Sequence, residues 1–316
     1  YPRSSLAHNQ LGGIYTSLGE WEKALAEYQA AGDTNLYSAL ILAYARLDRF
    51  AEAKAVPRTP DLPEVHRALL RVAFMQPDLA AAATEMTWFL GKPEEYQSLG
   101  EQSQNALIHG EFKKAAALAQ QGARLAEQHN LGAAAGQLLA QVAGMGEFRG
   151  GCGGAQQTGA VAALLCSDAE APLKAAEAQA KERPQDTLLN SVRLPVARAA
   201  LALQRNQPGQ AIAALEAAAP YEHAYSQVPY LRGIAYLRRN QGAAAAAEFQ
   251  KIADHKGANW GVVYPLSYLG VGRAWALAGD SAQAKIAYQA FFALWKDADP
   301  DLPVLAQARD EFAALK

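Results

Sequence analysis

Residues of four kinds recur at fixed offsets in two places far apart in this chain. Gly12, Tyr15, Ala24 and Tyr28 in HNQLGGIYTSLGEWEKALAEYQA are matched by Gly272, Trp275, Ala284 and Tyr288 in YLGVGRAWALAGDSAQAKIAYQAFF. Offsets of three and four join neighbours on one helix face. The nine-residue step between them spans a turn and carries the pattern onto a second helix. Small residues then fall where two helices approach closely, and aromatics fill the space beside them. The aromatic-to-Ala step recurs at Tyr44/Ala53 and Tyr236/Ala245, and in degenerate form at Ala106/Ala115, Cys166/Ala175 and Ala202/Ala211. Ala211 and Ala245 are 34 residues apart, Ala24 and Ala53 are 29, and Ala245 and Ala284 are 39. The short step implies a trimmed helix end around AAGDTN, and the long one an extra loop around KGANWG.

This is the tetratricopeptide pattern, in which each repeat is one helix hairpin that buries its apolar face only by stacking on the next. It predicts an all-α protein, a tetratricopeptide-repeat α-solenoid of stacked hairpins wound as a right-handed superhelix. Ala-rich runs such as GAAAAAEF favour helix. Turn residues punctuate SLGEWEKA, RLDRFAEA, IHGEFKKA, RNQPGQAI and LAGDSAQA. Helices of about 12 to 14 residues are marginal alone in water, so stacking must stabilise them. One window departs from the pattern: residues 144–159, GMGEFRGGCGGAQQTG, hold seven Gly in sixteen positions. Each Gly costs about 1 kcal/mol against Ala in a helix interior, which predicts a broken helix or a loop. The chain then divides into an N-terminal array (1–143), the Gly-rich interruption (144–159), and a C-terminal array with a terminal capping helix (160–316). VPRTPDLPEV (56–65) is expected to end the second helix of its hairpin early.

Several function classes have no support in the sequence. A formal net charge of −2 lacks the basic excess of a general nucleic-acid binder, and no apolar run reaches the roughly 18 residues of a membrane helix. The opening Tyr1-Pro2-Arg3 has neither an initiator Met nor a signal-peptide pattern, which reads as a processed form or a piece of a longer chain. The six His are scattered without metal-ligand spacing. Cys152 and Cys166 are read as two idle thiols, with a disulfide as the alternative. The Gly-rich window fits neither phosphate-binding loop pattern, and Ser4, Ser5 and Cys166 have no partner at a diagnostic spacing for nucleophilic catalysis. Asp299 and Asp301 are expected in a solvated loop, with Asp301 near the N-cap of a terminal helix. The expectation is a protein that is not an enzyme and needs no cofactor.

RPQDTLLNSVRLPVARAALALQRNQPGQAIAALEAAAPYE, QGAAAAAEFQKIADHKG and ALAGDSAQAKIAYQAFFALWKDADPDLPVLAQARDEF resemble the tetratricopeptide region of bacterial, chiefly acidobacterial, serine/threonine protein kinases. YPRSSLAHNQLGGIYTSLGEWEKALAEYQ resembles the opening of that region. The resemblance is strongest over 183–316 and weakest over 144–170. The kinase itself is absent: V-A-I-K, H-R-D and D-F-G do not occur, so no phosphoryl-transfer residue carries over. The resemblance implies a sensor or docking region of a larger signalling protein, and a location outside the cytoplasm where a membrane span separates repeats from kinase.

In such arrays the first helix of each hairpin lines the inner face. Counting from the Ala anchors puts Asn9, Thr16, Arg46, Gln104, Arg193, Gln204, Tyr230, Arg238 and Arg273 there. Four Arg would suit an acidic protein or peptide partner, because guanidinium holds carboxylate bidentately. The Lys/Asn clamp of chaperone-binding repeats is missing, with Gly13 where its Asn would stand. A second reading is a structural subunit that self-associates head to tail.

Overall fold

The computed structural model describes residues 4–143 and 170–315. Over these the chain is all-α, with seventeen α-helices and no strand among the described residues. In order they are α1 (Ser5–Leu18), α2 (Trp21–Ala31), α3 (Tyr37–Arg46), α4 (Phe50–Ala55), α5 (Pro63–Met75), α6 (Leu79–Phe89), α7 (Glu95–Ile108), α8 (Phe112–Gln128), α9 (Gly132–Ala143), α10 (Glu170–Glu182), α11 (Leu194–Gln204), α12 (Pro208–Leu215), α13 (Gln227–Arg238), α14 (Gly242–Ala253), α15 (Val263–Ala278), α16 (Ser281–Leu294) and α17 (Pro303–Ala313). The Gly-rich window and both cysteines lie outside the described residues.

Among the described residues one joint is used eight times. The N–H of Glu20 donates to Tyr15 O, and the same five-residue reach joins Arg49 to Tyr44, Asp78 to Ala73, Glu111 to Ala106, Leu131 to Ala126, Gln207 to Ala202, Gln241 to Tyr236 and Asp280 to Trp275, at 2.8–3.0 Å. In all eight joints the residue before the donor has positive φ, and in seven it is a Gly, Asn or Asp: Gly19, Asp48, Gly110, Asn130, Asn206, Asn240 or Gly279, with Pro77 in the eighth. Gly, Asn and Asp tolerate a left-handed C-cap, and the long-reach bond satisfies a carbonyl the helix end would leave open. Nine residues beyond each acceptor stands an Ala, and all eight are at most 2% exposed: Ala24, Ala53, Ala82, Ala115, Ala135, Ala211, Ala245 and Ala284.

The register therefore also includes Ala73/Ala82 and Ala126/Ala135, two further small-to-small steps that the sequence pattern did not single out. It excludes Cys166/Ala175: Ala175 is exposed on α10, so it is no tight-contact position. The recurring glycine has an equally plain cause. A Cβ on Gly12 would lie 2.5 Å from the Tyr28 ring, one on Gly233 2.7 Å from Phe249, and one on Gly272 2.8 Å from Tyr288. In these three hairpins a ring sixteen residues on fills the space a side chain would need.

Local departures follow their sequence signals. After α2 a 3₁₀ turn, Thr34–Leu36, replaces a helix start, and α3 has only 10 residues. α4 has 6 residues and stops at Val56, ahead of Pro57, while Pro63 opens α5. Residues 254–262 form the extra loop between α14 and α15. A π-helical turn, Leu189–Arg193, precedes α11, with Leu194 N–H donating to Leu189 O. Pro195, in the first turn of α11, has no N–H to continue an ordinary ladder.

The chain forms two compact units. The first comprises the described parts of Tyr1–Asn105, Ala115–Leu138 and His255–Trp260. In it α1 packs on α2, α3 on α4 and α5, and α5 on α6, around a core of Ile41, Ala45, Val65, Leu69 and Val72. The second comprises the described parts of Ala106–Lys114, Leu139–Asp254 and Gly261–Lys316. In it α11 touches α12 and α13, and α13 touches α14 and α15, so successive pairs stack first helix on first helix. No helix among the described residues is long and apolar enough to cross a membrane.

Candidate functional site

In the first unit the first helices carry a series of polar side chains. Thr16 Oγ1 on α1 lies 3.3 Å from Tyr28 OH. Asn9 is half-buried two turns earlier on the same helix face. Arg46, in the last turn of α3, is half-buried and lies within electrostatic reach of Tyr28 and Arg71. On α5, Arg71 donates from Nε at 2.9 Å and from Nη2 at 2.6 Å to the two oxygens of the buried Glu101 on α7. One turn beyond, Gln104 Nε2 donates to Trp260 O at 3.4 Å. The Trp260 side chain packs against the α3–α5 core.

Segment 255–260 is fixed to the end of α3. Asp48 Oδ1 accepts the Gly257 N–H at 2.8 Å, and a Cβ on Gly257 would stand 1.7 Å from Ala45 O. Only glycine permits that approach.

The two guanidiniums differ. Burial works against the charge of Arg71, but Glu101 more than offsets it and raises its pKa. Burial, and then the charge of Arg71, lower the pKa of Arg46. Among the described residues no carboxylate or other acceptor bonds to Arg46. The Trp260 indole N–H is also buried without an acceptor.

The second unit holds Arg193, Gln204, Tyr230, Arg238 and Arg273. Arg193 lies in the π-helical turn and is exposed. Gln204 ends α11, half-buried. Arg238 Nη1 donates to Leu203 O, tying the end of α13 to that of α11. Arg273 Nε donates to Glu311 Oε2 at 2.8 Å, and the same oxygen accepts Tyr288 OH at 2.9 Å. Tyr230 is buried edge-on against Phe249, with ring centroids 5.5 Å apart, and burial pushes its phenol up to about 12. Arg238 and Arg273 thus hold helices together within their unit, whereas Arg46 has no such partner. Asp301 is exposed in the loop immediately before Leu302, the N-cap of α17, and its Oδ1 pairs with Lys113 Nζ at 3.1 Å.

A second polar cluster in the first unit has no counterpart in the sequence reading. His66 is buried on α5, with Nδ1 2.6 Å from Glu85 Oε2 and Nε2 2.6 Å from Asp61 Oδ1. Trp88 stacks on its ring at 3.9 Å, Arg58 pairs with Glu85 at 2.8 Å, and Lys92 lies 3.2 Å over the Trp88 ring. Each ring nitrogen faces a carboxylate, and no Ser, Thr or Cys completes a nucleophile relay in the contacts of this cluster. It ties α5 to α6.

Arg71 and Glu101 were also missed. Counting back from Ala82, as the eight joints justify, puts Arg71 on the inner face of α5, so the step from Ala73 to Ala82 was the signal that could have found it. No protein-family model matches the chain, and no curated protein matches it. The fold and site define a class no finer than an all-α protein of packed helix pairs, with polar side chains along the first helices of its first unit.

Proposed function

We propose that the chain is a tetratricopeptide-type scaffold, not an enzyme, that binds a protein or peptide along the first helices of its hairpins, as one part of a larger signalling protein. The observation that carries this reading is Arg46, a half-buried cation on an inner helix with no partner of its own. The Arg238 and Arg273 side chains bond within their own unit, whereas the half-buried Arg46 keeps its charge available to a partner. The eight identical joints and buried alanines support the repeat architecture, and the resemblance to kinase-associated repeats supports the signalling context. Titrating the protein with a pool of Asp/Glu-rich decapeptides, against an Asn/Gln-substituted pool, tests it. Binding of the acidic pool that weakens with salt supports the reading, and equal or absent binding of both pools opposes it.

Head-to-tail self-assembly is the second reading. It draws on α1, where Leu6, Leu11 and Ile14 are exposed at 65%, 41% and 54%. At the other end Leu305 is buried, and Phe312 packs against Tyr288 and Phe292. Light scattering across a concentration series separates the readings: a docking module keeps one mass, while a subunit grows.

A further inference from the structure

The residues around Arg46 narrow the ligand. Arg46 and Arg71 contribute two positive charges and Glu101 removes one, and Glu101 is spent on Arg71 through both its oxygens. The series is left with a single uncompensated positive charge, carried by Arg46. The helix that carries it packs Ile41 and Ala45 into the core that Trp260 also covers, and Tyr28 lies within electrostatic reach of Arg46. Trp260 adds a buried N–H donor with no acceptor. The fixed approach of Gly257 to Ala45 keeps that segment in place, so this part of the unit is preorganised.

We infer that Arg46 is the anchor for one carboxylate of an acidic peptide, held by the guanidinium fork with Arg71 behind it. A monoanion matches the single free charge. A phosphate dianion would exceed it and bring a second negative charge towards Glu101. The guanidinium fork presents paired donors to a planar carboxylate, which an ammonium cannot do. This assignment rests on the peptide reading above, and the test separates the two.

Arg46→Met keeps the aliphatic stem and removes the charge. Thermal melting of the free variant and titration with the Asp/Glu-rich decapeptide pool are measured alongside the unmodified protein. The expected result is a melting temperature equal to or above that of the unmodified protein, with affinity for the acidic pool reduced about ten-fold or more. Arg46→Lys should retain part of that affinity. A melting temperature several degrees lower would make Arg46 a structural residue and overturn the assignment. Undiminished binding by Arg46→Met would overturn the anchor while leaving the peptide reading standing. If neither pool binds, N-acetylglutamate amide and inorganic phosphate at equal ionic strength decide. Stabilisation of the unmodified protein, but not of Arg46→Met, by the carboxylate alone keeps the anchor and removes the peptide reading. Stronger stabilisation by phosphate, or none by either, overturns the carboxylate assignment.

Discussion

His66 and Glu85 are a buried pair, nineteen residues apart on consecutive helices, with His66 Nδ1 2.6 Å from Glu85 Oε2. Removing His66 leaves the buried Glu85 with only the exposed Arg58 as a partner. His66→Phe should therefore cost about 3 kcal/mol or more, although it preserves a ring for Trp88 to stack on. His66→Phe combined with Glu85→Leu should recover most of the loss, since a packed apolar pair of similar volume is often neutral. Denaturant unfolding of the single and double variants measures this. A double variant no better than the single would assign the stability to the stack instead.

The other side of His66 makes a pH prediction. Donors from His66 and Trp88 hold the Asp61 carboxyl below its ordinary range. A carboxylate whose folded pKa is depressed stabilises the fold above the unfolded value of about 3.9, and that contribution is lost as pH falls through the folded value. Acid unfolding should thus become shallower below about pH 4 in Asp61→Asn than in the unmodified protein. Parallel acid profiles would contradict it.

Tyr230 makes the opposite prediction in alkali. Its folded pKa is raised to about 12 by burial, above the unfolded value of about 10. Its contribution is intact below pH 10 and is lost as pH rises towards 12. Absorbance titration at the phenolate band should show a late-titrating tyrosine that disappears in Tyr230→Phe, and the alkaline loss of stability should lessen with it.

The alanine register is tested by contrast. Ala245 has no room beside it and Ala175 is exposed, so Ala245→Leu should cost about 1–3 kcal/mol while Ala175→Leu should stay within about 0.5 kcal/mol. Equal effects would show that the joints, not the tight contacts, set the register.

These contrasts mark what sequence could and could not reveal. The joints were readable because a left-handed turn demands Gly, Asn or Asp and a close approach demands Gly or Ala. Ala73/Ala82 was not legible because Ala is abundant in this chain and a small-to-small step of nine carries little signal without an aromatic, and with it went Arg71. Partners were hidden for another reason. Arg273 finds Glu311 38 residues on, and Gln104 reaches Trp260 156 residues on, separations set by stacking. Spacing placed Arg46 and Arg273 alike at inner positions, and only their neighbours distinguish the unpartnered cation from the paired one.

Amide hydrogen exchange of the protein with and without the acidic decapeptide pool tests binding along the first helices most directly. Added protection should concentrate in α3 and α5 around Arg46 and Arg71, be absent with the Asn/Gln pool, and disappear in Arg46→Met. Protection confined to the second helices α2, α4 and α6, or no change anywhere in the first unit, would contradict it.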